Sequence, residues 1–258
     1  MKEINKIVLI GSGNVATHLA LALTKKGKNI IHIYGRTISR AKKLAEKTNS
    51  SYSDKIEDIP ADADLYILSV SDHALSEVVK KIKFSDKLIV HTSGTSNIEK
   101  LKNSSENFGI FYPLQTFSAN KNIDFKSIPI CIEANTKENE NALNDLAKSI
   151  SDNVYIVSSE ERKIIHVCAV FVSNFSNFMY SIADDILEQH DLSFDILKPL
   201  ILETAKKVIS NKPKEVQTGP AFRKDHNTIE KHIDFLSDFG EYKTIYKLLS
   251  DQIIKNRK

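Results

Sequence analysis

Short apolar runs alternate with amphipathic stretches over the first 150 residues of the chain. The run Ile7–Ile10 has the length of a buried strand, and the stretch Asn14–Lys26 after it places Val15 and Leu23 on one helical face. The same pattern predicts strands at Ile30–Tyr34, Leu65–Val70, Leu88–His91, Phe108–Tyr112 and Ile128–Glu133, and helices at Ser39–Lys47 and His73–Ile82. Strands that alternate with helices indicate an α/β fold of the Rossmann type, a doubly wound parallel sheet with helices on both faces.

The pattern becomes entirely helical after Val157. It predicts helices at Glu160–Gln189, Ser193–Asn211, Asp225–Leu236 and Glu241–Lys255. We therefore predict a nucleotide-binding domain over residues 1–155 and a smaller all-α domain over residues 156–258, which serves substrate binding or dimerisation.

The sharpest motif is the G-x-G-x-x-A sequence Gly11-Ser12-Gly13-Asn14-Val15-Ala16, which lies between the first strand and the first helix. Gly11 permits a tight turn, Gly13 allows the backbone to approach a pyrophosphate, and Ala16 lets the helix pack closely on the strand. The free N–H groups of the helix start then face the phosphates. The alternative is a tight turn with no ligand, but the position in a βαβ pattern favours a dinucleotide.

The residues after the second strand favour NADP(H) over NAD(H). NAD-binding proteins place an acidic residue here to hold the ribose hydroxyl groups, whereas this chain has Arg36, Thr37 and Arg40. An arginine provides a planar donor fork that suits a 2′-phosphate. The alternative is that both arginines are merely exposed residues at a helix start.

Two further loops follow predicted strands and are candidate cofactor contacts. One contains Ser69, Val70 and Ser71, and the other contains Thr92 and Ser93. Both are expected at the edge of the sheet where ligands bind, although Ser71 also suits a helix N-cap. A plain turn remains the alternative for the second loop.

Several segments resemble one family of Rossmann-like proteins. The segments are Gly11–Ala16, Phe111–Ser118, His166–Phe175 and Gln217–Asp225. The family joins an N-terminal half, similar to deazaflavin-dependent NADP reductases and pyrroline-5-carboxylate reductases, to a C-terminal domain of unknown function. The resemblance implies an NADP-dependent oxidoreductase with a helical, dimer-forming second domain. Related dehydrogenases often use a Lys and an Asn on the first helix of that domain. This chain has Lys163, but the motif residue is His166.

The long C-terminal helix carries a polar lane among apolar residues. At about 100° per residue, His166, Ser173, Asn177 and Asp184 fall within about 20° of a line, and Asn174 lies about 80° from His166. His166 is a candidate general acid, since the pKa of a histidine lies near working pH. Asn174 is a second candidate. The alternative for His166 is a hydrogen-bonded structural histidine.

Two other segments offer candidate substrate contacts. Gln115 and Thr116 follow a strand and have uncharged donors suited to a carboxylate or an amide, although this segment also suits a structural crossover. Arg223 could clamp a substrate carboxylate, but it could as well pair with Asp225 or cap a helix.

Composition restricts the remaining possibilities. The net charge is +3, and no basic run carries the interleaved aromatic residues of a nucleic-acid binder. Cys131 and Cys168 both lie in apolar runs, which favours buried free thiols and no metal site. No stretch approaches the roughly 18 apolar residues of a membrane span, so we predict a cytoplasmic protein with no membrane partner. The Phe-rich helix faces favour a homodimer through the C-terminal helices.

Two functions fit these residues. The first is hydride transfer between NADP(H) and a small carbonyl or imine compound, with the helical domain closing over the nicotinamide. The second is a non-catalytic NADP-binding sensor or assembly protein, which needs the phosphate loop but no poised acid. A cleft that contains His166 or Arg223 beside the nicotinamide favours the enzyme.

Overall fold

The computed structural model describes residues 3–118 and 123–257. Eight strands form a single sheet in the order β3-β2-β1-β4-β5-β6-β7-β8. The strands are β1 (Lys6–Ile10), β2 (Asn29–Tyr34), β3 (Ser51–Ser53), β4 (Leu65–Leu68), β5 (Leu88–His91), β6 (Asn107–Pro113), β7 (Ile130–Ala134) and β8 (Val154–Ile156). The first six positions have the 3-2-1-4-5-6 order of a dinucleotide-binding sheet, which confirms the predicted fold class.

One strand pair departs from the predicted parallel sheet. β6 and β7 are antiparallel, with Phe111 opposite Ile132, whereas the other six pairs are parallel. A parallel pair needs a crossover connection, usually a helix. The described part of the β6–β7 connection contains a 3₁₀ turn, Phe125–Ser127, and no α-helix, so the chain returns in the opposite direction.

Each face of the sheet packs against its own hydrophobic core, so β1 is buried on both sides. Ile7 and Leu9 join one cluster with side chains of α1 (Asn14–Lys25), α2 (Ile38–Thr48) and α4 (Lys137–Ile150). Val8 and Ile10 join the other cluster with α3 (Asp72–Lys81). Burial on both faces explains why the strand is a continuous apolar run rather than an alternating one.

Within the first 156 residues, the sequence pattern missed two strands and one α-helix. β3 and β8 have three residues each, too few for a visible period. The helix α4 is amphipathic, with Leu143, Leu146 and Ile150 buried, and Thr136 caps it by accepting a hydrogen bond from the Asn139 N–H. An N-cap residue followed by this spacing is a usable helix signal.

The chain forms two compact units that divide between Asn174 and Phe175. The second unit contains α6 (Ser176–Glu188), α7 (Lys198–Ser210), α8 (Pro220–Arg223), α9 (His226–Phe235) and α10 (Glu241–Asn256). Inside this unit Phe235 and Phe239 stack with ring centroids 5.8 Å apart, and Ala221, Ile229 and Leu236 are buried. The structure becomes all-helical just after β8, whereas these units divide only after Asn174, so the domain boundary at residue 155 stays a prediction.

The helix Ser159–Glu188 is continuous but not uniform. It consists of α5 (Ser159–Ala169), a π-helical segment at Val170–Phe175, called the π segment below, and α6. By length and composition alone it could cross a membrane, and a single helix of this kind is weak evidence for a span. Many of its apolar side chains are exposed, including Ile164 and Phe171. The predicted homodimer and cytoplasmic location stay predictions.

Candidate active site

A cavity of about 530 Å³ lies at the carboxyl ends of four parallel strands. The loops after β1, β2, β4 and β5 all reach it, as expected for the ligand edge of a doubly wound sheet. It is called the strand-end cavity below. Its lining residues are Gly11, Ser12, Gly13, Asn14, Val15, Tyr34, Gly35, Arg36, Thr37, Arg40, Ser69, Val70, Ser71, Ala74, Val78, Thr92, Gln115 and Phe117.

The two glycines of the phosphate loop have different reasons to be glycine. Gly11 has a φ of +128°, and a Cβ there would lie 2.1 Å from the carbonyl oxygen of Ser69. A Cβ at Gly13 would meet no described atom within 4 Å, although Gly13 precedes α1 directly and lines the cavity. Gly11 therefore permits the turn, and Gly13 leaves open space where the helix start faces the cavity. An open cradle at a helix N-terminus fits a diphosphate.

The end of the strand-end cavity that is formed after β2 is basic. Arg36 and Arg40 are exposed and line it beside Thr37, and the lining residues that the structure describes include no carboxylate. The sequence predicted this arrangement from the absence of an acidic residue after β2. Two guanidinium groups without a lining carboxylate suit a phosphate better than a ribose hydroxyl group.

The loops after β4 and β5 contribute unequally to the wall of the strand-end cavity. Ser69, Val70, Ser71 and Thr92 line the cavity. Ser71 is also the N-cap of α3, since its hydroxyl accepts a hydrogen bond from the Ala74 N–H at 3.4 Å. Ser93 does not line it and is buried, because its hydroxyl accepts hydrogen bonds from the N–H groups of Thr95 and Ser96. The structure thus favours the turn for Ser93, against the prediction of a cofactor contact.

A second cavity, of about 730 Å³, contains His166 and is called the His166 cavity below. It shares Gln115 and Phe117 with the strand-end cavity, so the two adjoin at the loop after β6. Its lining residues are Tyr112, Leu114, Gln115, Thr116, Phe117, Ile164, Ile165, His166, Cys168, Ala169, Val170, Val172, Ser173 and Asn174. The structure therefore brings together His166, Asn174, Gln115 and Thr116, which the sequence proposed separately.

His166 is held by a tyrosine that sequence reasoning did not single out. The Tyr112 hydroxyl lies 3.0 Å from His166 Nδ1. A Cβ on Gly94 would lie 2.4 Å from the same nitrogen, so the loop after β5 packs directly on the ring. Burial raises the pKa of Tyr112 to about 12, which keeps the phenol protonated at neutral pH. Tyr112 and Gly94 thus fix the position of the ring.

A buried ion pair fixes the start of α5. Arg162 is fully buried, and its Nη1 donates to Glu133 Oε2 on β7 at 2.5 Å. Its Nη2 donates to the carbonyl oxygen of Ser96 and to Ser159 Oγ. These bonds connect the helix that carries His166 to the sheet and to the loop after β5. Arg162 was missed because its partners lie far away in the sequence.

The π segment changes which polar residues accompany His166. A π turn takes one residue more than an α turn, so later positions are rotated by about 100° relative to a regular helix. This rotation moves Asn174 from about 80° away to within about 20° of His166. Asn174 accordingly lines the cavity with His166, and its neighbour Ser173 lines the cavity as well.

Other predicted residues have different surroundings. Cys168 is exposed and lines the His166 cavity, so the prediction of two buried thiols is wrong for it, whereas Cys131 is buried. Lys163 donates to Glu160. Arg223 is an exposed residue at the end of α8 in the second unit, and its role stays a prediction.

The loop after β6 is anchored on α1. Asn14 Nδ2 donates to the Phe117 carbonyl oxygen at 2.8 Å, and His18 Nε2 lies 2.9 Å from the Ser118 carbonyl oxygen. Gln115 Oε1 accepts from the Thr116 N–H at 2.8 Å. The side chain of Asn14 therefore holds the loop that separates the two cavities.

Comparisons with known proteins agree with this architecture. Residues 6–94 match the family described as NADP oxidoreductase, coenzyme F420-dependent, and residues 128–253 match the domain of unknown function DUF2520. No curated protein matches the chain.

Among solved structures, a Bacteroides fragilis protein provisionally named an NADP oxidoreductase is 41% identical. The match covers 98% of this chain and 99% of that one, with a TM-score of 0.93.

More distant structures share the fold. A Streptococcus pyogenes 1-pyrroline-5-carboxylate reductase has a TM-score of 0.63 at 16% identity, covering 98% of both chains. An Aspergillus terreus reductive aminase, solved with NADPH and ethyl-5-oxohexanoate, has a TM-score of 0.73 at 12% identity and covers 98% of this chain and 95% of that chain.

The predicted family and the predicted cofactor, NADP(H), are confirmed at the level of the family. The chain belongs with the Bacteroides fragilis protein to a family of NADP oxidoreductases that join a Rossmann-type domain to a helical domain of unknown function.

Proposed function

We propose that the protein transfers hydride between NADP(H) and a small carbonyl or imine compound. The observation that carries this proposal is the shared wall of the two cavities: Gln115 and Phe117 line both. One cavity has the residues for a dinucleotide, and the other holds a histidine with a fixed ring. Two adjoining sites of this kind suit a cofactor and a substrate that react with each other.

The strand-end cavity supplies binding and orientation. The backbone at Gly13 would bind the diphosphate, and Arg36 and Arg40 would hold the 2′-phosphate. Gln115 lines both cavities and would orient the nicotinamide beside His166, with Thr92 on the wall of the strand-end cavity. The bound cofactor supplies the hydride.

His166 supplies the proton that accompanies the hydride. Tyr112 remains a phenol, because burial raises its pKa to about 12, and its hydroxyl lies 3.0 Å from Nδ1 of the ring. In the tautomer that serves the reaction, the Tyr112 O–H donates to Nδ1. The ring then carries its own proton on Nε2, where it donates to a carbonyl oxygen or an imine nitrogen. Asn174 adds an uncharged hydrogen-bonding group to the same cavity.

The test is NADPH oxidation against a panel of small ketones, aldehydes, keto acids and cyclic imines, followed by variants of the reacting pair. His166→Ala is expected to lower kcat by about 100-fold, the scale of general acid catalysis, with NADPH affinity unchanged. Tyr112→Phe is expected to lower kcat less and to shift its pH profile, because the ring loses its fixed tautomer.

Matched controls are His73→Ala and Tyr155→Phe, which change an exposed histidine and an exposed tyrosine outside both cavities. Unchanged turnover in His166→Ala would remove that residue from the mechanism. Tight NADPH binding with no turnover of any compound would favour the non-catalytic NADP-binding protein instead.

A further inference from the structure

We infer that the His166 cavity selects uncharged carbonyl or imine substrates with an apolar substituent and discriminates against substrates that carry a carboxylate. The inference rests on the proposed function and adds the substrate class to it. It depends on the chemistry of the cavity wall and on the hydrogen bonds of the nearby cations.

Most of the cavity wall is apolar. Leu114 and Phe117 come from the loop after β6, and Ile164, Val170 and Val172 come from the long helix. Such a wall binds alkyl or ring substituents by removing apolar surface from water, at about 25 cal/mol per Å² of buried area.

Apart from the imidazole of His166, the polar side chains of the cavity wall are uncharged hydroxyl and amide groups. Tyr112, Gln115, Thr116, Ser173 and Asn174 carry hydroxyl or amide groups. The residues that line this cavity in the described part of the chain include no Lys, Arg, Asp or Glu. These groups suit a single carbonyl oxygen or imine nitrogen.

Both cations of α5 are engaged elsewhere. Arg162 is fully buried and donates to Glu133, to the Ser96 carbonyl oxygen and to Ser159. Lys163 Nζ donates to Glu160 Oε1 at 2.6 Å. Neither offers a free donor pair to a carboxylate in the cavity, although they are the cations nearest to His166 in the sequence.

A carboxylate in this wall would lose water without gaining an opposite charge. Desolvation of an unpaired charge is unfavourable even in a partly open cavity, so a preference of at least about 10-fold in kcat/KM is expected for the neutral substrate. Arg223 is the competing source of a cation, because the sequence alone made it a candidate carboxylate clamp.

The experiment compares substrates that differ only by a methyl group in place of a carboxylate. One pair is 2-pentanone and 2-oxopentanoate, and the other is 2-methyl-1-pyrroline and 1-pyrroline-2-carboxylate. NADPH oxidation is measured for all four, alongside NADPH affinity. A higher kcat/KM for the neutral member of the pair that is turned over supports the inference.

An equal or higher kcat/KM for the carboxylate overturns the inference while the proposed function stands, and its loss in Arg223→Ala would identify the missing cation. If none of the four compounds oxidises NADPH although NADPH binds, the proposed function and the inference both fall.

A second experiment adds a positive charge to the cavity wall. Val172→Arg places a cation on the cavity wall, and Val167→Arg makes the same change at an exposed helix position outside the wall. The first variant is expected to raise the carboxylate-to-neutral ratio of kcat/KM by about 10-fold, on the scale of a charge-assisted hydrogen bond. The second is expected to leave the ratio unchanged. A ratio that does not move in Val172→Arg, or that moves equally in both, counts against an uncharged wall as the selecting feature.

Discussion

The two glycines of the phosphate loop predict opposite responses to the same substitution. In Gly11→Ala the new Cβ would lie 2.1 Å from the carbonyl oxygen of Ser69, at a φ of +128°. In Gly13→Ala it would stand in open space at a φ of −81°. The first change therefore acts on the fold, and the second acts on the ligand.

The magnitudes follow from these contacts. A side chain in a sparsely populated backbone region costs about 1–3 kcal/mol, and the clash with a backbone atom adds to it, so Gly11→Ala should destabilise the protein by more than about 3 kcal/mol. At about 2–4 °C per kcal/mol for a domain of this size, Tm falls by at least about 6 °C. Gly13→Ala should leave Tm within about 2 °C of the wild type, since Ala fits its backbone.

Thermal unfolding and NADPH titration together are the assay. Gly13→Ala is expected to weaken NADPH binding by at least about 10-fold, because the Cβ stands between the backbone and the diphosphate. Gly27→Ala is a control for the backbone term alone, as its φ is +77° and its Cβ would meet no described atom within 4 Å. Normal NADPH affinity in Gly13→Ala, or normal stability in Gly11→Ala, would refute the reasoning.

Three other changes test the two halves of the site. Arg36→Ala should weaken NADPH binding by about 10-fold and leave NADH binding nearly unchanged, whereas Lys43→Ala, at an exposed position on the helix α2 that follows Arg36, should alter neither affinity. Arg162→Met should lower the free energy of unfolding by about 3 kcal/mol, because it leaves Glu133 partly buried without its cation; adding Glu133→Gln should recover part of this loss in denaturant titrations. Burial, with a contribution from nearby Arg162, lowers the pKa of His91 to about 4. The unfolded chain takes up that proton near pH 6.5, so stability should fall by up to about 3 kcal/mol between pH 6.5 and 4, and His91→Gln should flatten this dependence.

The nucleotide half of the site could be predicted because its determinants are local. Gly11, Gly13 and Ala16 lie within six residues, and their meaning depends only on a strand before them and a helix after them. The same rule located the loops after β4 and β5 but could not tell which hydroxyl groups point outward. Ser93 is an example, since its hydroxyl accepts hydrogen bonds from two backbone N–H groups of its own loop.

The substrate half depends on contacts between distant residues. Tyr112 and His166 are 54 positions apart, and Arg162 meets Glu133 across 29 positions. Each of these residues, read alone, is an ordinary strand or helix residue. Only the topology of the sheet, including the reversal of β7, brings them together.

The last difference between the sequence prediction and the structure is the phase of the long helix, and two asparagines on that helix can test it. A regular helix places Asn177 in line with His166, whereas the π segment rotates Asn174 into that position and Asn174 lines the cavity. Asn174→Ala should therefore lower kcat/KM by about 2- to 10-fold, the value of one neutral hydrogen bond, and Asn177→Ala should change it by less than about 2-fold. Both variants should keep the helical circular dichroism and the NADPH affinity of the wild type. The opposite order of effects would show that the helix keeps a regular α-helical phase in solution. The π segment would then be rejected as the feature that selects which residues face the substrate.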